Sequence, residues 1–100
     1  MRIGTTPTHQ FVLPFDTELI KAVEIVYSQG SEIILKNTEA DCTMQDKIVQ
    51  TTLSQEDTFK FTSEMCVDVQ IRVLDKNGTA YSSDIMRVSC RKCLSDEVLT

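Results

Sequence analysis

Between Leu53 and Val88 a short turn leads into two runs in which apolar and polar residues alternate. Val67-Asp68-Val69-Gln70-Ile71-Arg72-Val73 places an aliphatic side chain at every second position. Successive side chains of a strand point to opposite faces, so this spelling predicts a strand that buries Val67, Val69, Ile71 and Val73 and leaves the polar residues in water. Asn77-Gly78 supplies the positive backbone angles of a tight hairpin, with Thr79 to Ser89 returning as the partner strand. The alternation recurs upstream. Lys21 to Gln29 directs Val23, Ile25 and Tyr27 to one face and Glu24 and Ser28 to the other. After a Gln29-Gly30-Ser31 turn, Glu32 to Asn37 is expected to come back with Ile33 and Leu35 inward.

Weaker signals fill the rest. Thr8 to Phe15 carries Phe11, Leu13 and Phe15 at alternate positions, and Pro14 makes it an edge strand because proline cannot donate to a central ladder. Asp16-Thr17-Glu18-Leu19 reads as one helical turn capped by Asp16. Asn37 to Lys47 is polar and reads as loop, and Ile48 to Leu53 as a strand of uncertain register. Ser54-Gln55-Glu56-Asp57 has capping-box spacing, and Thr58-Phe59-Lys60-Phe61 is expected to be a short strand with two aromatic anchors. Cys93 to Leu99 is too short for a stable isolated helix. About seven short strands spaced by roughly ten residues predict an all-β chain folded as a two-sheet antiparallel sandwich. It would be one domain over residues 1–100, with 1–8 a flexible leader and 90–100 a C-terminal extension.

Charge narrows the partners. Fifteen acids against ten bases leave −5, and no Lys/Arg cluster offsets the repulsion of a polyanion, so nucleic acid is not expected as a partner. Between Glu39 and Asp57, the acids Glu39, Asp41, Asp46, Glu56 and Asp57 face Lys47 alone, a local balance of −4. A solvated loop edge is the first reading of that cluster, and a Ca²⁺ site the sharper one. No apolar run is long enough to cross a bilayer, so no membrane partner is expected. The first residues lack the apolar core of a secretory leader, which suggests a chain made and kept in a cytoplasm, or released only by lysis.

Candidate chemistry is sparse. Cys90-Arg91-Lys92-Cys93 is a CxxC, while Cys42 and Cys66 stand alone. Free, partly buried thiols are the first reading, a Zn²⁺ site built from Cys42, Cys66, Cys90 and Cys93 the second, and redox chemistry the last. His9, the single histidine, lies on a strand with no nucleophile beside it and reads as structural or exposed. Nucleophile elbows, phosphate-cradling glycine loops and HExxH are absent, so the chain is not expected to be an enzyme or to carry a cofactor. The polar face of the best strand offers more. Gln70 and Arg72, with Asp68, form a wet outer face or a partner-binding patch, in which Arg72 would grip a carboxylate from Glu56 or from a neighbouring subunit. Ser82, Ser83 and Asp84 would either flatten the next strand for docking or be tolerated at an edge.

Taken in order, Ile25-x-Tyr27-x-Gln29, Leu53-x-Gln55-Glu56-x-Thr58-x-x-Phe61, Val69-Gln70-x-Arg72-Val73, Gly78, Ser83-x-Ile85 and Leu94-x-x-Glu97-Val98-Leu99 resemble the immunoglobulin-like modules of tailed phages. The pattern is similar to the N-terminal domain of phage baseplate upper proteins and to small standalone virion relatives, over roughly residues 9–99. The resemblance implies an immunoglobulin-like β-sandwich without chemistry of its own, decorating or docking on the head, neck or tail/baseplate of a virion assembled in a bacterial cytoplasm. Its partners would be capsid or tail proteins, or further copies of itself. Gln55, Glu56 and Thr58 would set the inter-strand corner, with Gln70 and Arg72 on the strand beside it. Longer relatives continue into a fibre or receptor-binding segment, whereas this sequence stops at Thr100, which favours a freestanding component. The cysteines depart from the pattern, and the sheet-bridging pair around a tryptophan is absent. A metal- or ligand-binding module using the cysteines or the acidic loop, and a host-surface or glycan adhesion domain, are the alternatives.

Overall fold

The two long strands anticipated by alternation form the centre of the larger sheet. In the computed structural model, which describes residues 1–100, β2 (Ile20–Gln29) pairs antiparallel with β6 (Val67–Asp75), setting Val23 opposite Val73, Ile25 opposite Ile71 and Tyr27 opposite Val69. These side chains are all buried. β3 (Glu32–Thr38) flanks β2, while β7 (Ala80–Ser82) and β8 (Met86–Val88) flank β6. The second sheet has the order β1-β5-β4, from β1 (Thr8–Val12), β5 (Ile48–Thr52) and β4 (Cys42–Gln45). It turns Phe11, Val49 and Thr51 inward against the first, and Ile3, Ile20, Leu53, Phe61 and Cys90 complete the core.

The hairpins β2–β3, β4–β5 and β6–β7 alternate between the two sheets, and β1 returns beside β5. Three strands in the order B-E-D facing C′-C-F-G is the immunoglobulin arrangement without its first strand. The chain is an all-β, immunoglobulin-like sandwich. β7 and β8 are the two halves of one strand, which makes the number of strands seven.

Several local expectations are corrected. The polar stretch Asn37 to Lys47 is not all loop: it contains β4, of which only Cys42 is partly buried against the core. Thr58–Phe61 is not a strand. Ser54 Oγ accepts from Asp57 N at 3.1 Å and Asp57 Oδ2 accepts from Ser54 N at 3.1 Å, and this capping box starts helix α1 (Gln55–Phe59). Ile33 is not inward but 62 % exposed. Pairing steps from Tyr27–Leu35 to Ser28–Ile33, so Ile34 is an extra residue, and a one-residue slip sends the side chains beyond it to the other face. The return strand is also bulged: Arg72 pairs with Ser82 but Val69 with Met86, leaving one residue too many in Ser83–Ile85. At the hairpin tip only Gly78 has a positive φ, +87°, and Asp75 Oδ1 accepts from the N–H groups of Asn77 and Thr79, both at 2.9 Å. The tip is therefore a three-residue loop rather than a two-residue Asn-Gly turn.

Residues 1–8, expected to be a flexible leader, are tied to the rest of the chain, Thr8 being the first residue of β1. Arg2 bridges Arg91 in parallel, Ile3 enters the core, and Leu53 N donates to Pro7 O at 2.9 Å. Gly4 lies at φ +81° with its N–H donating to Thr58 Oγ1 at 3.0 Å. A Cβ there would stand 3.1 Å from the Phe59 ring, so glycine fits both the angle and the space.

Candidate functional site

The partner-binding residues read from the sequence fall into two groups. Gln70 and Arg72 lie in the middle of β6, and Ser83 on the segment beside them between β7 and β8. Gln70 Nε2 donates to Ser83 O at 2.9 Å and to Ser82 Oγ at 3.1 Å. Ser83 N donates to Ile71 O at 3.0 Å, and its hydroxyl accepts from Ile71 N at 3.2 Å, so Ser83 pins the bulge instead of flattening the strand. Arg72 does not meet Glu56. Its register partner on β2 is Glu24, and Arg72 Nε lies 3.5 Å from Glu24 Oε1 while Lys36 Nζ lies 2.9 Å from Glu24 Oε2. The Lys36 hydrogen bond, with the charges of Lys36 and Arg72, holds the Glu24 carboxyl below the usual carboxylate range. Arg87 and Asp68 form a further pair at 3.1 Å. The outer face of the larger sheet thus pairs its own charges across strands, and Glu56 stays exposed on α1.

The other corner residues act as ties. Thr58 is fully buried, its hydroxyl accepting from Gly4 N and donating toward Thr5 O and Gln55 O. Gln55 brackets the backbone of Leu99: Nε2 donates to Leu99 O at 3.1 Å and Oε1 accepts from Leu99 N at 2.9 Å. Gln55→Ala is expected to release residues 94–100 with a change of only about 1 kcal/mol in global stability. Hydrogen exchange at the Leu99 amide would report it; unchanged protection would remove the tie from the account.

Neither metal reading finds its ligands together. Cys42 lies on β4, Cys66 before β6, and Cys90 and Cys93 beyond β8, all as free thiols, and no three His, Cys, Asp or Glu side chains converge. Burial pushes the Cys90 and Cys42 thiols up, away from the thiolate that metal or redox chemistry needs. Three of the five acids of the 39–57 stretch serve the backbone: Glu39 accepts from Val23 N, Asp41 from Thr38 N and Asp57 from Ser54 N. His9 is half-buried, with Nδ1 2.7 Å from Tyr27 OH.

The surface that sequence reasoning missed is the smaller sheet. Its outward side chains are Thr8, Gln10 and Val12 on β1, Ile48, Gln50 and Thr52 on β5, and Thr43 and Gln45 on β4. None carries a charge, in a chain that is 25 % charged. Thr8 and Thr52 hydroxyls lie 2.8 Å apart, and Gln10 Nε2 donates to Gln50 Oε1 at 2.7 Å, so the face is braced across strands. β1 is an open edge. Leu13 N donates to Lys47 O and Leu53 N to Pro7 O, which places the odd-numbered residues on the β5 ladder and turns the N–H and C=O groups of Thr8, Gln10 and Val12 outward. Between this edge and β7–β8 runs an apolar trough of about 360 Å³, lined by Phe11, Leu13, Phe15, Ile71, Tyr81 and Met86. It continues past Gln10 and Met86 into a second hollow of about 220 Å³ beside His9, Val69 and Val88. The signal was present in the sequence as a gap in charge: Ile3 to Phe15 holds no Asp, Glu, Lys or Arg.

The fold and this surface define an immunoglobulin-like sandwich with an unpaired, uncharged edge. In comparisons with known proteins, no family model, no curated protein and no solved structure matches the chain.

Proposed function

We propose that this chain is a structural, non-catalytic docking module of a phage or prophage virion, attached to the head, neck or tail/baseplate through protein–protein contacts. One observation carries the docking part of the reading: the charged groups of the larger sheet's outer face are paired within the molecule, whereas the smaller sheet presents an uncharged face beside an open edge and an apolar trough. Unsatisfied edge groups and exposed apolar side chains are what a partner covers with gain. The virion part is supported by the sequence resemblance, whose corner residues Gln55 and Thr58 hold the chain's two ends against α1. A phage environment also fits a small module that repeats by symmetry, where each copy contributes modest contact area to a stable whole.

The test is incorporation. Particles purified from induced host cells should contain the chain, and Thr43→Lys or Gln45→Lys, both at exposed positions, should reduce incorporation while leaving the melting temperature unchanged. A chain recovered only in the particle-free supernatant would reject the virion reading.

A further inference from the structure

We propose that β1 is a dimerisation edge: two copies of this chain pair their β1 strands antiparallel about a two-fold axis at Gln10, so that the three-stranded sheets join into one. The inference rests on the reading of the smaller sheet as a docking surface and names the partner that its edge fits.

The register follows from the outward groups. A two-fold axis at Gln10 sets Thr8 opposite the second copy's Val12 and Gln10 opposite its own counterpart. Each of these is a pair whose backbone groups already point out of the sheet, giving about six inter-strand hydrogen bonds. On the outer face the Gln10–Gln50 amide contact of 2.7 Å is repeated through the axis, forming a row of four glutamines across the joined sheet. On the inner face His9 comes opposite the second copy's Phe11, at the mouth of the trough. The next outward position is Pro14, which has no N–H, so pairing ends there.

Charge selects the occupant. Two copies each carrying −5 must meet where acids do not face acids. The β4 edge is bounded by Asp41 and Asp46, which antiparallel self-pairing would oppose. β3 carries Glu32 and Lys36 and is kinked by its extra residue, and β7–β8 is interrupted at Ser83–Ile85 beside Asp84 and Arg87. β1 alone is continuous, uncharged and free of flanking charges. The strand it accepts must be extended, uncharged and free on one edge, and within this chain Thr8–Val12 itself meets those conditions. The exposed C-terminal segment does not, because Asp96 and Glu97 would enter an uncharged trough without counter-charges. Stable interfaces bury about 800 Å² per partner, more than a five-residue edge supplies, so the dimer is reversible with a Kd on the order of micromolar.

Sedimentation equilibrium from about 1 μM to about 1 mM tests this on the intact chain. The wild type should pass from monomer to dimer across that range. Gln10→Lys and Gln10→Glu each place like charges opposite one another at the axis and should weaken association at least tenfold (about 1.4 kcal/mol). An equimolar mixture of the two should recover a dimer, now heteromeric. Gln10 is exposed and its side chain bonds only Gln50, so both variants should keep the wild-type circular-dichroism spectrum. A wild type that stays monomeric throughout, or a mixture no tighter than either variant alone, overturns the proposal. A monomer still found in particles would overturn the dimer and keep the docking reading; a dimer absent from particles would do the reverse.

Discussion

Tyr27→Ala is expected to remove about 3–5 kcal/mol of folding stability. The ring is fully buried on β2, edge-on to Phe61 with centroids 6.0 Å apart and tilted against His9 at 5.6 Å. Truncation leaves a cavity between the sheets and strips the Nδ1 partner of His9. Against a typical total of about 5–15 kcal/mol, that brings the domain near its unfolding threshold. Urea denaturation would measure the change, and a loss under about 1 kcal/mol would place Tyr27 outside the core. Tyr27→Phe keeps the ring and should cost only about 1–2 kcal/mol, through the unpartnered imidazole.

The same pair gives the fold a pH dependence. Burial holds the His9 imidazole below its ordinary value of 6.5, so the unfolded chain binds a proton at a higher pH than the folded one. Stability is therefore complete above about pH 6.5 and falls as the pH drops through that value toward the lower folded one. His9→Gln should flatten this part of the stability curve.

Gln29→Ala should cost about 3 kcal/mol although it removes no hydrophobic residue. The amide is buried at the end of β2 and stands in for a strand neighbour. Nε2 donates to Thr62 O at 2.8 Å and to Met65 O at 3.0 Å, and Oε1 accepts from Thr62 N at 2.8 Å. These bonds fix the loop from α1 to β6, which includes Glu64 in a left-handed conformation at φ +62°. Alanine leaves the loop's backbone groups without partners, a loss that does not vary with pH. Gln29→Glu separates this account from a packing effect. Its carboxyl must stay protonated to donate its one O–H to either carbonyl, and ionised it would face both oxygens unpaired. That raises its folded pKa, so this variant should lose stability as pH rises above about 4.3. Parallel pH profiles for the two variants would contradict the hydrogen-bond account.

The sequence made the centre of the fold legible and its edges much less so. Val67 to Val73 and Val23 to Tyr27 alternate because both strands bury one face and wet the other, so periodicity alone located the core. β4 was illegible because this edge strand packs a single side chain, Cys42, against the core within a polar stretch. The bulges at Ile34 and Ser83–Ile85 are invisible to a period-of-two argument, which assumes an unbroken register. Capping at Ser54 was readable, but two aromatics at Phe59 and Phe61 imitated strand spacing and hid the helix that follows the cap. The site divides in the same way. Gln70 and Ser83 meet in a bond within the molecule, whereas Arg72's partner Glu24 lies on a strand distant in sequence and emerges only from cross-strand register.

The kink at Ser83–Ile85 bears on how far any lateral stacking can run. A molecule with two usable rims adds copies without limit and becomes a filament; of the four here, one is broken, one is skewed at Ile34 and the β4 rim is flanked by Asp41 and Asp46, which leaves β1. Once that rim is covered, growth terminates, and the number of copies stays finite through shape and charge together.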